Sequence, residues 1–99
     1  MTSQGRAISV VIPAYNSQAT LGATLDALLA LQPPVHQVIV ADSSSDEAAK
    51  AQLKAYAAKG VTVVDLPTRT MPALARNAGA RAATGEVLAF IDSDAYPAP

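Results

Sequence analysis

"ISVVIPAYNSQATLGATLDALLAL", residues 8–31, changes its hydrophobic period halfway along and so contains two different elements. The run Ile8 to Ile12 is short, apolar and continuous, which is typical of a strand buried on both faces of a parallel sheet. From Ser17 onward the leucines recur at helical spacing, which predicts a helix with Ser17 available as N-cap and Pro33 and Pro34 beyond its end. Its apolar stripe consists of Leu21, Leu25, Leu28 and Leu29.

The same alternation of strand and helix continues along the chain. Further apolar runs occupy residues 38–40, 61–64 and 87–91, and helical patterns lie between them at residues 46–59 and 72–84. Helical crossovers are what parallel neighbouring strands require. We therefore predict a β-α-β-α-β-α-β order and an α/β fold, a Rossmann-like three-layer sandwich whose mostly parallel sheet has the order 3-2-1-4 and is incomplete.

The second and third helices carry their own end signals. Acidic Asp46 precedes the second helix and Gly60 follows it, as the helix dipole and a left-handed cap favour. Pro72 suits the first turn of the third helix. The second helix has a predicted inner stripe of Ala49, Leu53, Tyr56 and Ala57. The third has a small inner face of Ala75, Ala78, Gly79 and Ala82, so we expect it to lie close against the sheet.

Composition limits the classes of function. The 99 residues have a net charge of -1 and scattered basic side chains, which argues against nucleic acid as a partner. Cysteine is absent, which excludes a disulfide framework and thiolate metal sites. The first residues show neither the long apolar run nor the cleavage site of a leader, and no apolar run reaches membrane-spanning length, so we expect neither a leader nor a membrane span. We expect one domain over residues 1–99 and a cytoplasmic location, at the inner face of the membrane if a longer parent chain exists.

Polar residues follow strands 1, 2 and 4. In open parallel sheets ligands bind beyond the carboxyl ends of the strands, at the point where the strand order reverses. We therefore expect a polar, net acidic site at this edge. The candidate residues there are Tyr15, Asn16, Asp42, Asp92 and Asp94.

Asp92 and Asp94 form the most informative pair. Residues i and i+2 of an extended chain point the same way, and two adjacent carboxylates repel each other unless a proton or a cation lies between them. Mg²⁺ or Mn²⁺ suits such oxygen ligands, with phosphate oxygens completing the shell. The alternative is that both aspartates only end a strand and solvate the following turn.

Other polar residues each have two interpretations. Asp42 either helps to cap the second helix, where Asp46 is the better candidate, or contacts a ligand at the strand end. Arg76 lies in the early turns of the third helix, where an anion is favoured, so it is a candidate phosphate contact. Tyr15 either stacks on a base or covers the sheet end. We expect Arg69 and Arg81 to be solvated and His36 to be structural or exposed.

Four blocks of the sequence together resemble the N-terminal half of the family 2 glycosyltransferases. They are "ISVVIPAYNSQATLGATLDALLA", "QVIVADSSSDE", "ARNAGARAATG" and "EVLAFIDSDA". The resemblance runs in order over residues 8–95. It implies a nucleotide-diphospho-sugar transferase fold and a metal-dependent transfer of sugar from a nucleotide donor, a UDP-sugar being favoured, to an acceptor with inversion.

The resemblance also implies roles for individual residues. Pro13, Ala14 and Tyr15 would line the nucleoside pocket, with Asn16 beside them, and Asp42 would contact the base. Arg76 would lie near the diphosphate. Asp92 and Asp94 match the D-x-D motif, in which the last aspartate binds Mg²⁺ or Mn²⁺ and the first contacts ribose or metal-bound water.

The chain departs from the family pattern in two ways. Ser43 stands where the family often has a second aspartate, and the catalytic general base is expected beyond Pro99, so the domain is expected to be truncated after D-x-D. One alternative is a catalytically incomplete module that binds nucleotide sugar and needs a partner chain, with self-association through the exposed edge of strand 4. Remoter alternatives are an aspartate-based phosphatase and a dinucleotide-binding domain, although strand 1 lacks the glycine motif of the latter.

Overall fold

The structure, a computed structural model, describes residues 7–93. Four strands and three helices alternate as the hydrophobic periods predict, and each boundary lies within a few residues of the expected one. The strands are β1 (Ile8–Ala14), β2 (Gln37–Asp42), β3 (Thr62–Asp65) and β4 (Val87–Phe90). The helices are α1 (Gln18–Leu29), α2 (Glu47–Ala57) and α3 (Pro72–Ala82).

All four strands are parallel and their order is β3-β2-β1-β4, which confirms the predicted topology. Ile12 lies opposite Val40 across the β1 and β2 pair, and Val11 lies opposite Phe90 across the β1 and β4 pair. The carboxyl ends of the strands therefore meet at one edge of the sheet, and the strand order reverses between β1 and β4.

Helices α1 and α2 cover one face of the sheet. The core on this face joins alternate residues of β1 and β2 with the inner leucines of the two helices: Val10, Ile12, Val38, Val40, Leu21, Leu25, Leu28 and Leu53. Burying each large aliphatic side chain here contributes about 1.5–3 kcal/mol to folding. Since β1 and β2 are buried on both faces, their apolar runs are continuous rather than alternating.

Two predicted core positions are wrong. Leu29 is 39% exposed, and Ala57 is exposed as well. Each is the last member of its predicted stripe, eight residues after the first, and at 3.6 residues per turn it lies about 80° around the helix from that first member. The sheet covers only the centre of each stripe, so residues at this margin face solvent.

Helix α3 covers the opposite face at close range, as its small inner side chains predict. Ala75 and Gly79 are buried, and a Cβ atom added to Gly79 would collide with Cγ1 of Val11. With α1 and α2 on one face and α3 on the other, the three-layer arrangement is confirmed.

The helix ends follow the predictions with one exception. Asp46 is the N-cap of α2, and its Oδ1 accepts a hydrogen bond from Ala48 N at 2.8 Å. Gly60 has a φ of 100°, as a left-handed cap after α2 requires. Ser17 occupies the N-cap position of α1, but its side chain makes no capping hydrogen bond to the helix. Its hydroxyl is used by a tertiary contact instead.

Candidate functional site

Asn16 connects the loops that follow β1 and β2. Its Oδ1 accepts hydrogen bonds from the backbone N–H groups of Ser45 and Asp46, each at 3.0 Å, and its own N–H donates to Ser44 Oγ at 2.8 Å. The φ of Asn16 is 46°, a left-handed conformation that asparagine tolerates better than most residues. The side chain of Asn16 is therefore occupied by the neighbouring loop, and its structural effect is to fix the backbone beside Tyr15.

Asp42 is buried at the end of β2 and shapes the loop that follows. Only 1% of Asp42 is exposed, and its Oδ1 accepts hydrogen bonds from the N–H and the hydroxyl of Ser44. Its Oδ2 has no hydrogen-bond partner among residues 7–93 and lies 3.9 Å from Nζ of Lys50. A cleft of about 360 Å³ opens there between α2 and β3, with Leu53 and Val63 in its wall. Asp46, not Asp42, caps α2, and Asp42 is one of the residues that line this cleft.

Tyr15 and Arg69 come together on the rim of the same edge. Tyr15 is 40% exposed, and its phenol oxygen accepts a hydrogen bond from Nε of Arg69 at 3.1 Å. This hydrogen bond lowers the pKa of the Tyr15 phenol and raises the pKa of Arg69. An exposed aromatic ring held in this way offers a flat surface on which a planar group can stack.

Arg69 is a residue whose importance the sequence did not reveal. It is exposed, as expected, but it lies on the loop between β3 and α3 and is hydrogen-bonded to Tyr15. Its φ is 64°, a rare conformation for an arginine, and its backbone N–H donates to Ser43 O at 3.2 Å. Strained backbone of this kind concentrates at functional sites. The one feature of the sequence that favours a functional role for Arg69 is its position in the loop that follows a strand.

The remaining nucleotide-site candidates contribute in different ways. The carbonyl of Ala14 accepts from Ser43 N at 2.9 Å, which ties the end of β1 to the loop after β2. Pro13 lies opposite Ala41 within the sheet. Arg76 is half-buried on α3 and, within the described part of the chain, is outside the hydrogen-bonded network at this edge.

Asp92, the first of the two aspartates that resemble D-x-D, lies two residues after the end of β4. Asp92 follows β4 and is exposed, while Asp94 lies outside the described residues. Ser93, between them, is half-buried, and its hydroxyl donates to Ser17 Oγ at 2.9 Å. The end of β4 is thereby tied to the start of α1, next to Tyr15.

A divalent cation fits the chemistry of this corner. An exposed carboxylate such as Asp92 supplies the hard oxygen ligand that Mg²⁺ or Mn²⁺ prefers. Between residues 7 and 93 no three His, Cys, Asp or Glu side chains form a cluster suited to a metal ion. A cation here would therefore depend on Asp92 together with Asp94 and on oxygens of the ligand itself.

The three helices in the described part of the chain, residues 7–93, are at most 12 residues long. None of them is both long and apolar enough to cross a membrane.

The fold and the strand-end residues define the class. This is a Rossmann-like α/β protein with polar side chains where the order of its parallel sheet reverses. The family described as glycosyl transferase family 2 matches residues 9–99. The chain belongs to this family of glycosyltransferases.

Individual relatives agree with this assignment. Validoxylamine A glucosyltransferase of Streptomyces hygroscopicus subsp. limoneus is 36% identical over 99% of this chain and 22% of its own length. The mannosyltransferase PcManGT from Pyrobaculum calidifontis, solved in complex with GDP-Man and Mn²⁺, is 26% identical, with a TM-score of 0.83 over 93% of this chain and 28% of its own.

A second solved structure is similar over nearly the same region. Glucosyl-3-phosphoglycerate synthase from Mycobacterium tuberculosis, in complex with Mn²⁺, UDP and phosphoglyceric acid, is 35% identical, with a TM-score of 0.70 over 90% of this chain and 33% of its own. The chain spans about a quarter of the length of the first curated relatives it matches.

Proposed function

We propose that this chain binds a nucleotide-diphospho-sugar, a UDP-sugar in the first place, at the carboxyl edge of its sheet, as the donor in an inverting transfer of sugar to an acceptor. One observation carries the proposal. The ends of the adjacent strands β1 and β4 are tied together by the hydrogen bond between Ser93 and Ser17, so exposed Tyr15 and exposed Asp92 border the same switch point. The two similar solved structures, which hold Mn²⁺ with UDP or with GDP-Man, support the choice of ligand.

In this proposal each residue has a distinct role. Tyr15 stacks on the base, Pro13 and Ala14 line the nucleoside pocket beside it, and Asn16 holds the backbone of Tyr15 in place. Asp42 contacts the base through Oδ2, which accepts no hydrogen bond among residues 7–93 and lies 3.9 Å from Nζ of Lys50. Arg76 attracts the diphosphate from the early turns of α3.

Asp92 and Asp94 hold a divalent cation in this scheme, Mg²⁺ or Mn²⁺. The cation supplies Lewis-acid stabilisation of the charge that builds on the leaving diphosphate. Asp92 is well placed for this because its carboxylate is exposed beyond the end of β4. The general base that takes the acceptor proton is expected beyond Pro99, and the domain over residues 1–99 and the cytoplasmic location also stay predictions.

A second candidate function is a binding module that completes its site with a partner chain. The observation that favours it is the outer edge of β4, which has no neighbouring strand among residues 7–93 and carries the exposed apolar side chains Leu88 and Phe90. Such an edge is ready to pair with another chain.

Calorimetric titration tests the donor site directly. UDP and GDP, with and without Mn²⁺, are titrated into the wild type, Asp92→Asn and Asp94→Asn. We expect Mn²⁺ to tighten UDP binding to the wild type, and each substitution to remove about tenfold or more of that gain, as the loss of even an outer-shell group does. Asp65→Asn is the matched control, since Asp65 ends β3 at the same edge outside the motif. The proposal fails if no nucleotide binds, or if Mn²⁺ has no effect.

A further inference from the structure

The hydroxyl of Ser17 is used for a tertiary contact at a position where it would normally stabilise a helix. A serine at an N-cap typically contributes about 1 kcal/mol by accepting a hydrogen bond from a free backbone N–H. In α1 that bond is not made. Instead Ser17 Oγ donates to Tyr15 O at 3.2 Å and accepts from Ser93 Oγ at 2.9 Å. A hydroxyl has one proton to donate and lone pairs to accept with, so both bonds can form together.

Two threonines of α1 bind the same residue through its backbone. Ser93 O accepts from Thr20 Oγ1 at 3.3 Å and from Thr24 Oγ1 at 3.2 Å. Each hydroxyl also lies near a carbonyl of its own helix, at 3.4 Å for Thr20 and 3.5 Å for Thr24, so the contact with Ser93 is the shorter one in both cases. The carbonyl oxygen of Ser93 has two lone pairs, so it can accept from both threonines.

These three side chains lie on one stripe of α1. Positions 17, 20 and 24 are spaced i, i+3 and i+7, which places them one above another on the helix surface. Thr24 is only 1% exposed, although threonine is a poor residue for a helix interior and a buried hydroxyl needs a hydrogen-bond acceptor. Contact with Ser93 gives each hydroxyl of this stripe a partner outside its own helix.

The hydroxyls of this stripe contact Ser93, the residue between the two aspartates of D-x-D. Ser93 faces α1 and is half-buried, while Asp92 beside it is exposed. Three hydrogen bonds to one residue restrain its backbone and side chain together, and Ser93 is covalently next to Asp94. Fixing Ser93 therefore restrains the backbone that directly follows Asp92.

We propose that Ser17, Thr20 and Thr24 are positioning residues for a divalent-cation site at Asp92 and Asp94. They act by holding Ser93, the residue between the two aspartates, so that the backbone following Asp92 is fixed before a cation binds. Groups that orient metal ligands in this way typically change metal affinity by about 10–100-fold when removed. The inference rests on the proposed function, because it presumes that the D-x-D carboxylates bind a cation.

The test measures Mn²⁺ binding rather than activity. Free Mn²⁺ is followed by its electron paramagnetic resonance signal during titration into the chain at a fixed UDP concentration, and a titration without protein at the same UDP concentration subtracts the Mn²⁺ that free UDP holds. UDP binding without metal is measured by calorimetry. We expect Thr24→Val, which replaces a hydroxyl with a methyl group, to weaken Mn²⁺ binding by about tenfold or more. UDP binding without Mn²⁺ should be unchanged.

Two further variants separate the hydroxyl from packing. Thr24→Ser keeps the hydroxyl and should retain most of the wild-type Mn²⁺ affinity. Thr84→Val is the matched control, because the Thr84 hydroxyl binds His36 and Gln37 at the opposite edge of the sheet. It should bind Mn²⁺ as the wild type does.

The outcomes distinguish a failure of the proposed function from a failure of the positioning role. If the wild type binds no Mn²⁺ with UDP, the proposed function fails. If the wild type binds but Thr24→Val binds equally well, or Thr24→Ser loses as much as Thr24→Val, the positioning role is overturned. Should Thr24→Val fail to fold by circular dichroism, Ser17→Ala and Ser93→Ala decide, since both residues are half-buried at the surface and lose the bond that joins them. Unchanged Mn²⁺ affinity in both would then refute it.

Discussion

Nε of Arg69 donates a hydrogen bond to the phenol oxygen of Tyr15 at 3.1 Å and so joins the loop after β3 to the loop after β1. The two residues are 54 positions apart in the chain. The contact places a cation against an exposed aromatic ring at the edge where the donor site is proposed, and it has a consequence that titration can measure.

Arg69→Ala should raise the pKa of Tyr15 toward the ordinary tyrosine value of 10.0, because the hydrogen bond and the positive charge that favour the phenolate are lost. Absorbance of tyrosinate during an alkaline titration measures this. Tyr15→Phe identifies the Tyr15 phase by removing it. Arg81→Ala, an exposed arginine of α3, is the control and should leave that phase unchanged. An identical Tyr15 phase in wild type and Arg69→Ala would disprove the contact.

Gly79→Ala should destabilise the fold. Its new Cβ would meet Val11 Cγ1 in the face between α3 and the sheet, and overpacking of this kind costs about 1–3 kcal/mol. Gly22→Ala is the matched control inside α1, where the nearest atom to a new Cβ is the movable tip of Gln52 at 3.1 Å. That change should be neutral or stabilising by up to about 1 kcal/mol. Urea unfolding measures both, and equal midpoints would refute the close packing of α3.

Tyr56→Phe should lower the free energy of unfolding by about 1 kcal/mol at neutral pH, because the phenol donates a hydrogen bond to Asp26 Oδ1 at 2.7 Å. The ring stays, including its face toward Nζ of Lys59 at 4.8 Å from the ring centre. The hydrogen bond to Asp26 raises the pKa of Tyr56 above 10.0.

The sign of the pH dependence follows from that shift. The folded chain keeps the Tyr56 proton to higher pH than the unfolded chain does. The contribution of the Tyr56 hydrogen bond to the free energy of unfolding is therefore fully present below pH 10.0, and it disappears as the pH rises through the raised pKa. The difference in unfolding free energy between wild type and Tyr56→Phe should therefore shrink at alkaline pH. A difference that stays constant or grows there would contradict the assignment.

Phe90→Lys should reduce self-association through the edge of β4. Phe90 is 49% exposed on a strand whose outer side has no partner among the described residues, and a lysine on an edge strand disfavours pairing with another chain. Sedimentation velocity compares the wild type with Phe90→Lys. We expect an assembly for the wild type and a monomer for the variant. Leu29→Lys, the same kind of change on α1, should not alter the assembly. A monomeric wild type would remove the basis for this prediction.

Local patterns in the sequence were enough for most of the fold. Hydrophobic period, the cap at Asp46, the proline at Pro72 and the small stripe around Gly79 each act over a few residues, and all of them appear as expected. Strand order followed from the handedness of crossovers and from the buried character of β1 and β2. The candidate edge of the site followed in turn, since parallel strands end together.

Local patterns failed where a residue had two competing partners. A serine before a helix predicts a cap, yet Ser17 binds Ser93, which is 76 residues away and comes close only because β4 lies beside β1. Arg69 looked solvated because nothing near it in the chain pairs with it, and Leu29 looked buried because periodicity does not give the width of the covered face.

The chain's own residues thus specify which elements form, the order in which they pack and the edge at which polar groups collect, because hydrophobic periodicity and helix-end signals act over a few residues. The pairs that set the geometry of that edge, Tyr15 with Arg69 and Ser17 with Ser93, exist only after the sheet has assembled. Hydrogen bonds act over about 3 Å, so their partners are chosen by tertiary proximity and not by spacing along the chain.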